Sequence, residues 1–267
     1  MKLITTFAAT AEFRKAAGQL DRLGLPYEVI SPEPGYAKVG VPGLVMEEEA
    51  RMALAAAGPE EFLCAGWIEY RAPRAGAPPV PADGPPVFEE DVIGEVAIVV
   101  LVPCVADKSR IRFIAHLGGD IAPVFPYLNT LMHEASYNAR AATFTFMDAH
   151  RLVALYGQRV VVAKADDLVD GWRTLEMIRC RAADAWARRA SVEPTYQMRQ
   201  RPPALEVYKR LPKTNCGACG QASCLALAVM VYEGEVNISR CRPVFEGEFG
   251  HLREALVEVC AGLGVAV

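Results

Sequence analysis

The opening quarter of the chain is a succession of short apolar runs separated by amphipathic stretches. LITTF reads as a strand, and Ala11 to Leu23 carries apolar residues at helical spacing. PYEVIS and GLVM read as two further strands. Glu47 to Ala57 reads as a second helix: Glu47, Glu48 and Glu49 suit the positive end of its dipole, and Gly58 and Pro59 stop it. WIEYR closes the set as a strand. The order β-α-β-β-α-β over residues 1–71 is that of a small ferredoxin-like α+β domain, a name for topology that implies no iron.

The pattern then breaks. Residues 72–87, APRAGAPPVPADGPPV, carry six prolines and two glycines and predict an extended linker. Beyond it, Val96 to Val102 is an apolar run with the character of a buried strand. Lys108 to Leu117 is read as a helix, with Gly118 and Gly119 as its cap. Ala142 to Met147, Arg151 to Tyr156 and Arg159 to Ala163 read as strands, the last two joined by a hairpin turn at Gly157. A long helix is predicted from Asp167 to about Ala190, with Asp166 or Asp167 as N-cap. Residues 88–193 thus predict a second α+β domain of no nameable family. The proline-bearing segment from Ser191 to Pro203 separates it from a C-terminal domain over 196–267.

Composition narrows the function. A chain of 267 residues, 52% hydrophobic and 22% charged, has the make-up of a folded protein with a substantial core. The net charge of −4 offers no basic excess for nucleic acid. The longest apolar run, Val96 to Ala106, is interrupted by Pro103 and is far shorter than the roughly 20 residues of a membrane span. The N-terminal MKLITTFAATA loosely mimics an export signal, but its apolar core is short and runs into the first amphipathic helix. The expectation is therefore a cytoplasmic protein without a membrane span. Its eight cysteines are then not expected to be disulfides, and their spacing becomes the question.

Half of those cysteines fall within 26 residues. In LPKTNCGACGQASCLALAVMVYEGEVNISRCRPV, Cys216, Cys219, Cys224 and Cys241 follow the spacing C-x2-C-x4-C-x16-C. Four thiolates satisfy a [4Fe–4S] cubane, one for each iron. Gly217 and Gly220 let the backbone approach closely, and Cys224 opens a helix whose dipole favours an anionic ligand. Lys209, Arg210, Lys213, Arg240 and Arg242 flank the run and offset cluster charge. Four cysteines also make a tetrahedral zinc site, though such sites usually come as two C-x2-C pairs. The remaining cysteines suit buried positions. Cys104 differs from them because it ends a strand, where ligand sites gather. Asp148-Ala149-His150 fits a turn between strands. No phosphate-binding loop, dinucleotide fingerprint, zinc-protease helix or nucleophile elbow is present.

The run LPKTNCGACG, followed by SCLALA and a distant cysteine, resembles the iron–sulfur domain of the corrinoid iron–sulfur protein large subunit. The same pattern recurs in a component of the Rnf electron-transport complex. The resemblance covers about residues 205–245 and implies that Cys216, Cys219, Cys224 and Cys241 ligate a [4Fe–4S] cluster serving reductive activation of a corrinoid. It implies nothing about the rest, since the corrinoid-gripping barrel of that family is too long for this chain. The N-terminal 60 residues are weakly similar to small sulfur/selenium-carrier-like domains. The expected function is one-electron transfer to, or reductive activation of, a partner metallo- or corrinoid enzyme in anaerobic metabolism. The alternative is a maturation factor carrying sulfur, iron or a metallocluster to a client metalloenzyme. Either makes the chain an electron-transfer or accessory protein rather than a catalyst, with a redox protein or a client metalloenzyme as partner.

Overall fold

The computed structural model describes residues 1–32, 36, 38–57, 64–69, 86–198 and 203–263. The stop at Gly58 and Pro59 and the core of the proline-rich linker lie outside the described residues. The elements run β1 (Lys2–Phe7), α1 (Thr10–Leu23), β2 (Tyr27–Ile30), β3 (Gly43–Glu47), α2 (Glu48–Ala56), β4 (Cys64–Glu69), β5 (Val96–Pro103) and β6 (Ile111–Leu117). They continue with α3 (Phe125–Leu131), β7 (Ser136–Asn138), β8 (Thr143–Asp148), β9 (Arg151–Tyr156), β10 (Arg159–Ala165) and α4 (Leu168–Ala187). The last are α5 (Ala204–Lys209), α6 (Cys224–Tyr232), α7 (Arg242–Phe245) and α8 (Arg253–Leu263). Two compact units result: residues 1–124 with 151–191, and residues 125–150 with 192–267. The fold class is α+β.

In the first unit the opening strands order as β2-β3-β1-β4, every neighbouring pair antiparallel. This is the ferredoxin-like arrangement. Leu44 and Met46 of β3 join Phe7, and against them pack Ala16 and Leu20 of α1 with Ala50 and Leu54 of α2. Helical spacing of small and apolar residues thus places both helices on one sheet face. Toward α4, Gly40 stands at φ 93, where a Cβ would come within 2.5 Å of the Trp172 indole nitrogen, so only glycine fits. β4 then meets β5 in parallel at Gly66 and Leu101, and β5-β6-β10-β9 follows as an antiparallel series.

The segment Lys108 to Leu117 departs from the helix predicted for it. Residues 111–117 are β6, paired with β5 and β10, and exposure alternates: Ile111, Phe113, Ala115 and Leu117 are buried, whereas Arg112 and His116 face out. The period is two, and β-branched and aromatic side chains suit a pleated surface. Gly118 and Gly119 accordingly cap no helix; their N–H groups bond the carbonyls of Glu95 and Ile93.

α4 begins where the Asp167 carboxylate accepts from the Asp170 N–H at 2.9 Å. It buries Leu168, Trp172, Leu175, Ile178, Ala182 and Ala185, a stripe at three- and four-residue spacing. On the same helix Arg179, 4% exposed, bonds Glu176, Asp91 and the Pro86 carbonyl, each at about 2.9 Å or less. That network fastens the segment after the proline-rich stretch onto α4.

In the second unit the β7–β8 hairpin and α3 share an aromatic cluster of Phe125, Tyr137, Phe144 and Phe146. Phe125, Pro126, Leu128 and Asn129 of α3 are buried. Asn129, fully buried, donates to the carbonyls of Thr195 and Gln197 and anchors the chain after α4. Four short helices, α5 to α8, then enclose a second core.

Candidate metal centre

That second core contains the cysteines. Cys224 and Cys241 sit among Val207, Leu211, Leu227, Val231, Ile238, Val244 and Leu256, with Cys219 packed at its margin. The loop from Leu211 to Ser223 turns without regular structure, because Lys213, Asn215, Gly217 and Gly220 have φ of 61, 50, 71 and 80. A Cβ on Gly217 or Gly220 would meet nothing within 4 Å, so these glycines serve backbone conformation and not close packing. The Gly220 N–H returns to the Gly217 carbonyl at 2.9 Å, folding Cys216 and Cys219 into one turn.

Two side chains fix where α6 starts. The Asn215 amide oxygen accepts from the Cys224 N–H at 2.9 Å, and the Ser223 hydroxyl caps the Ala226 N–H at 3.1 Å. The loop and the helix terminus are thereby one construction, with Cys224 in the first turn. Cysteine spacing alone does not single out Asn215; its signal is asparagine's tolerance of a left-handed conformation beside a helix start. After α6 the chain returns through Asn237, whose side chain accepts from the Ser239 N–H at 2.8 Å. A 3-10 turn, Ile238–Arg240, delivers Cys241 as the residue before α7, its carbonyl accepting from the Val244 and Phe245 N–H groups.

All four cysteines, with Pro212, Asn215 and Pro243, line a single cleft. Among the described residues that line it there is no Asp, Glu or His, so its titratable donors are the four thiols, a set that suits iron–sulfur clusters, zinc or other soft ions. Among the described residues no three His, Cys, Asp or Glu side chains converge closely enough to hold one ion. The thiols here are arrayed around a cleft, and their number and type fit an iron–sulfur core.

The four are not equivalent. Cys216 is exposed and Cys219 half-buried, whereas Cys224 and Cys241 are 7% and 4% exposed. A hydrogen bond from the Ala218 N–H, then one from the Thr214 side chain, holds the Cys216 thiol below its ordinary range. Burial pushes the Cys241 thiol up; the Val244 N–H opposes this, and the charges of Cys219, Cys224 and Cys216 add to the rise. Four thiolates in one cleft repel each other, and a cationic core relieves the repulsion. Of the flanking cations, Lys209 and Arg210 pair with Glu206 at 2.6 and 2.8 Å, and Lys213 stands over the Tyr208 ring. Arg240 and Arg242 have no acidic partner among the described residues.

Residues 211–243 match an iron–sulfur family. Its description is "Putative Fe-S cluster", and the match includes all four cysteines of the cleft. The same region is similar to the gamma subunit of the acetyl-CoA decarbonylase/synthase complex of Methanothermobacter thermautotrophicus, 49% identical over 45 residues. That match covers 17% of this chain and 10% of the relative. The corrinoid/iron-sulfur protein large subunit of Moorella thermoacetica is 44% identical over 52 residues, 20% of this chain and 11% of that one. The chain thus spans about a tenth of the curated relatives it matches. No solved structure is significantly similar to it.

The other thiols lie elsewhere. Cys180 donates to Glu176 at 3.6 Å, and burial pushes its thiol up to about 11; burial does the same for Cys260 in the second core. Cys104 follows β5 in the first unit and does not line the cysteine cleft. Burial pushes its thiol up, but backbone N–H groups of Asp107, Ala106 and Lys164 prevail and hold it below its ordinary range. The side chain of Cys64 lies outside the described residues. Among the described residues no helix is long and apolar enough to cross a membrane.

Proposed function

We propose that Cys216, Cys219, Cys224 and Cys241 ligate a [4Fe–4S] cluster in a C-terminal domain spanning 196–267. The protein uses it to pass single electrons to a partner metallo- or corrinoid enzyme. The observation that carries this reading is that four cysteines, from a loop, a helix start and a return turn, line one cleft. The family match over the same residues supports the iron–sulfur assignment, and relatives named for corrinoid and acetyl-CoA decarbonylase/synthase systems support the class of partner.

The cluster supplies a reversible one-electron couple when bound. The chain's residues set the conditions for it. Buried Cys224 and Cys241 anchor the site in the apolar core, which excludes water from that side. Exposed Cys216 and half-buried Cys219 leave the other side open to a partner, and electron transfer requires such proximity. Arg240, Arg242 and Lys213 place positive charge in the same segments, which favours the reduced, more negative state. The first unit is assigned a docking role.

Redox titration of anaerobically purified protein, followed by electron paramagnetic resonance, tests this directly. A reversible one-electron signal lost on Cys224→Ser is expected. An irreducible cluster removes the electron-transfer reading, and zinc in place of iron removes the cluster itself. A cluster that moves intact to an apo-acceptor favours the maturation role instead.

A further inference from the structure

The sheet of the first unit is covered unequally. α4 lies on one face, where Phe113, Val153 and Val162 are buried and a Cβ on Gly171 would come within 3.0 Å of the Phe113 ring. α1 and α2 lie on the other face, and their core reaches only as far as Ala97 and Val99 of β5. Ala97 pairs with His116, so that second face continues across β6, β10 and β9. There the side chains are exposed or half-buried: Arg112, Ile114 and His116 on β6, Arg159 and Val161 on β10, Leu152, Ala154 and Tyr156 on β9.

Strand register gathers these positions into rows. Val100, Ile114, Val161 and Ala154 stand side by side across β5, β6, β10 and β9, an entirely aliphatic row. Val102, Arg112, Ala163 and Leu152 form the row on one side, and His116, Arg159 and Tyr156 lie on the other. Neighbouring rows are two strand residues apart, about 6.6 Å. An antiparallel sheet with one face in water is ordinarily polar on that face. This one has an apolar centre, and it is open: Val102, Leu152 and Trp67 of the adjoining β4 are 38, 44 and 49% exposed. Contiguous apolar surface of this kind marks a binding site.

Charge and topology decide what covers it. β5, β6, β9 and β10 contain no Asp or Glu. Arg112 and Arg159 have no acidic partner among the described residues, and the Arg159 guanidinium stands 4.4 Å over the Tyr156 ring. Glu69 ends β4 beyond Trp67, in the field of the Met1 ammonium. A second copy of the chain fits poorly, because a two-fold contact sets this face against itself, cation on cation. Single-stranded nucleic acid stacks its bases on aromatic rings, whereas the central row is Val, Ile and Ala. An added strand has no place, since β5, β6 and β10 are each paired on both sides. Helices already cover the same face over β1 and β3, and a helix is what completes such a layer.

We propose that this face docks an amphipathic helix of a partner protein, its aliphatic stripe on the row from Val100 to Ala154 and its bordering acidic side chains at Arg112 and Arg159. The proposal gives the docking role of the first unit a place and a chemistry. It does not depend on the cluster, because the face and the cysteines belong to different units. Its failure and the failure of the cluster assignment are read by separate measurements.

Fluorescence anisotropy with the full-length holoprotein tests it, using three labelled peptides of about 18 residues, five helical turns. The first has a leucine stripe bordered by glutamates, the second the same stripe bordered by lysines, and the third the first peptide's residues scrambled so that no stripe forms. The glutamate-bordered peptide is expected to bind saturably and at least about tenfold more tightly than the other two. Arg112→Glu should weaken it about tenfold or more and shift preference to the lysine-bordered peptide, whereas Arg112→Lys should leave it within about threefold. Leu152→Asp should weaken it as well. Both positions are exposed, so far-ultraviolet circular dichroism and cluster absorbance should not change in these variants. Absence of saturable binding, a lysine-bordered or scrambled peptide that binds as tightly, or an unaffected Arg112→Glu variant would each overturn the proposal. So would a single-stranded oligothymidylate that binds as tightly, or a dimer in sedimentation that Leu152→Asp disperses.

Discussion

The two units hold themselves together by different means. The first rests on long-range strand pairing and a 20-residue helix with a continuous buried stripe. The C-terminal part of the second has helices of 6, 9, 4 and 11 residues joined by turns. Each is shorter than the roughly 12–15 residues at which an isolated helix is even marginal in water. Their shared core includes two of the proposed ligands as buried side chains. The proposed cluster would therefore do in the second unit part of what ladder hydrogen bonds and a long amphipathic helix do in the first. The first can tolerate an empty cysteine cleft; the second is not expected to.

Removing the iron is the strongest attack on that contrast. Chelation under reducing conditions is expected to abolish amide-exchange protection across residues 203–263 while β5, β6 and β10 keep theirs. Coupling of this size follows from ligation acting as folding free energy. Cys241→Ser should reproduce the effect, because the side chain is 4% exposed and sits in the core. Cys216→Ser should deplete iron yet spare more of the fold, since its side chain is exposed. Hydrogen exchange resolved by mass spectrometry separates the outcomes, and protection persisting in 203–263 after complete iron loss would erase the distinction between the units.

The converse attack strikes the first unit alone. Arg179→Ala leaves the Glu176 carboxylate buried without its cation and Asp91 with only Lys38, 3.7 Å away. Breaking a buried pair in this way costs about 3–5 kcal/mol. Chemical denaturation followed by tryptophan fluorescence, all three tryptophans lying in the first unit, should show the loss, while iron content and the visible spectrum stay unchanged. A variant that also loses iron would mean that the two units are not energetically separate.

The same contrast explains what could be read from the chain. Period-two and helical spacing disclosed β1 to β4 with α1 and α2, and Asp167 marked the start of α4. Cysteine spacing marked the cleft although its surroundings lack regular periodicity. The segment Lys108 to Leu117 misleads because Ile111, Ile114 and Ala115 also satisfy helical spacing over so short a run. Its strand state is imposed by β5 and β10 on either side, partners that local pattern does not contain. The short helices α5, α7 and α8 were equally silent, as were the buried Arg179 network and the open sheet face at Arg112. The last two depend on residues far apart in sequence, Asp91 with Arg179 and Arg112 with Ala163.

The finest test concerns the joint between the loop and α6, where local and metal-centred stabilisation meet. Asn215 contributes an acceptor to the Cys224 N–H and occupies φ 50. Asn215→Gly removes the acceptor while keeping the conformation accessible, and about 1 kcal/mol is expected from the lost helix-start bond. Asn215→Ala adds the cost of a Cβ in the left-handed region, about 1–2 kcal/mol more. Ser223→Ala removes only the cap on Ala226, again about 1 kcal/mol. Iron release to a chelator should be fastest for Asn215→Ala, with Asn215→Gly and Ser223→Ala slower and similar to each other. Equal rates for Asn215→Ala and Asn215→Gly would show that the loop conformation at this residue contributes nothing, leaving the hydrogen bond to Cys224 as its whole role.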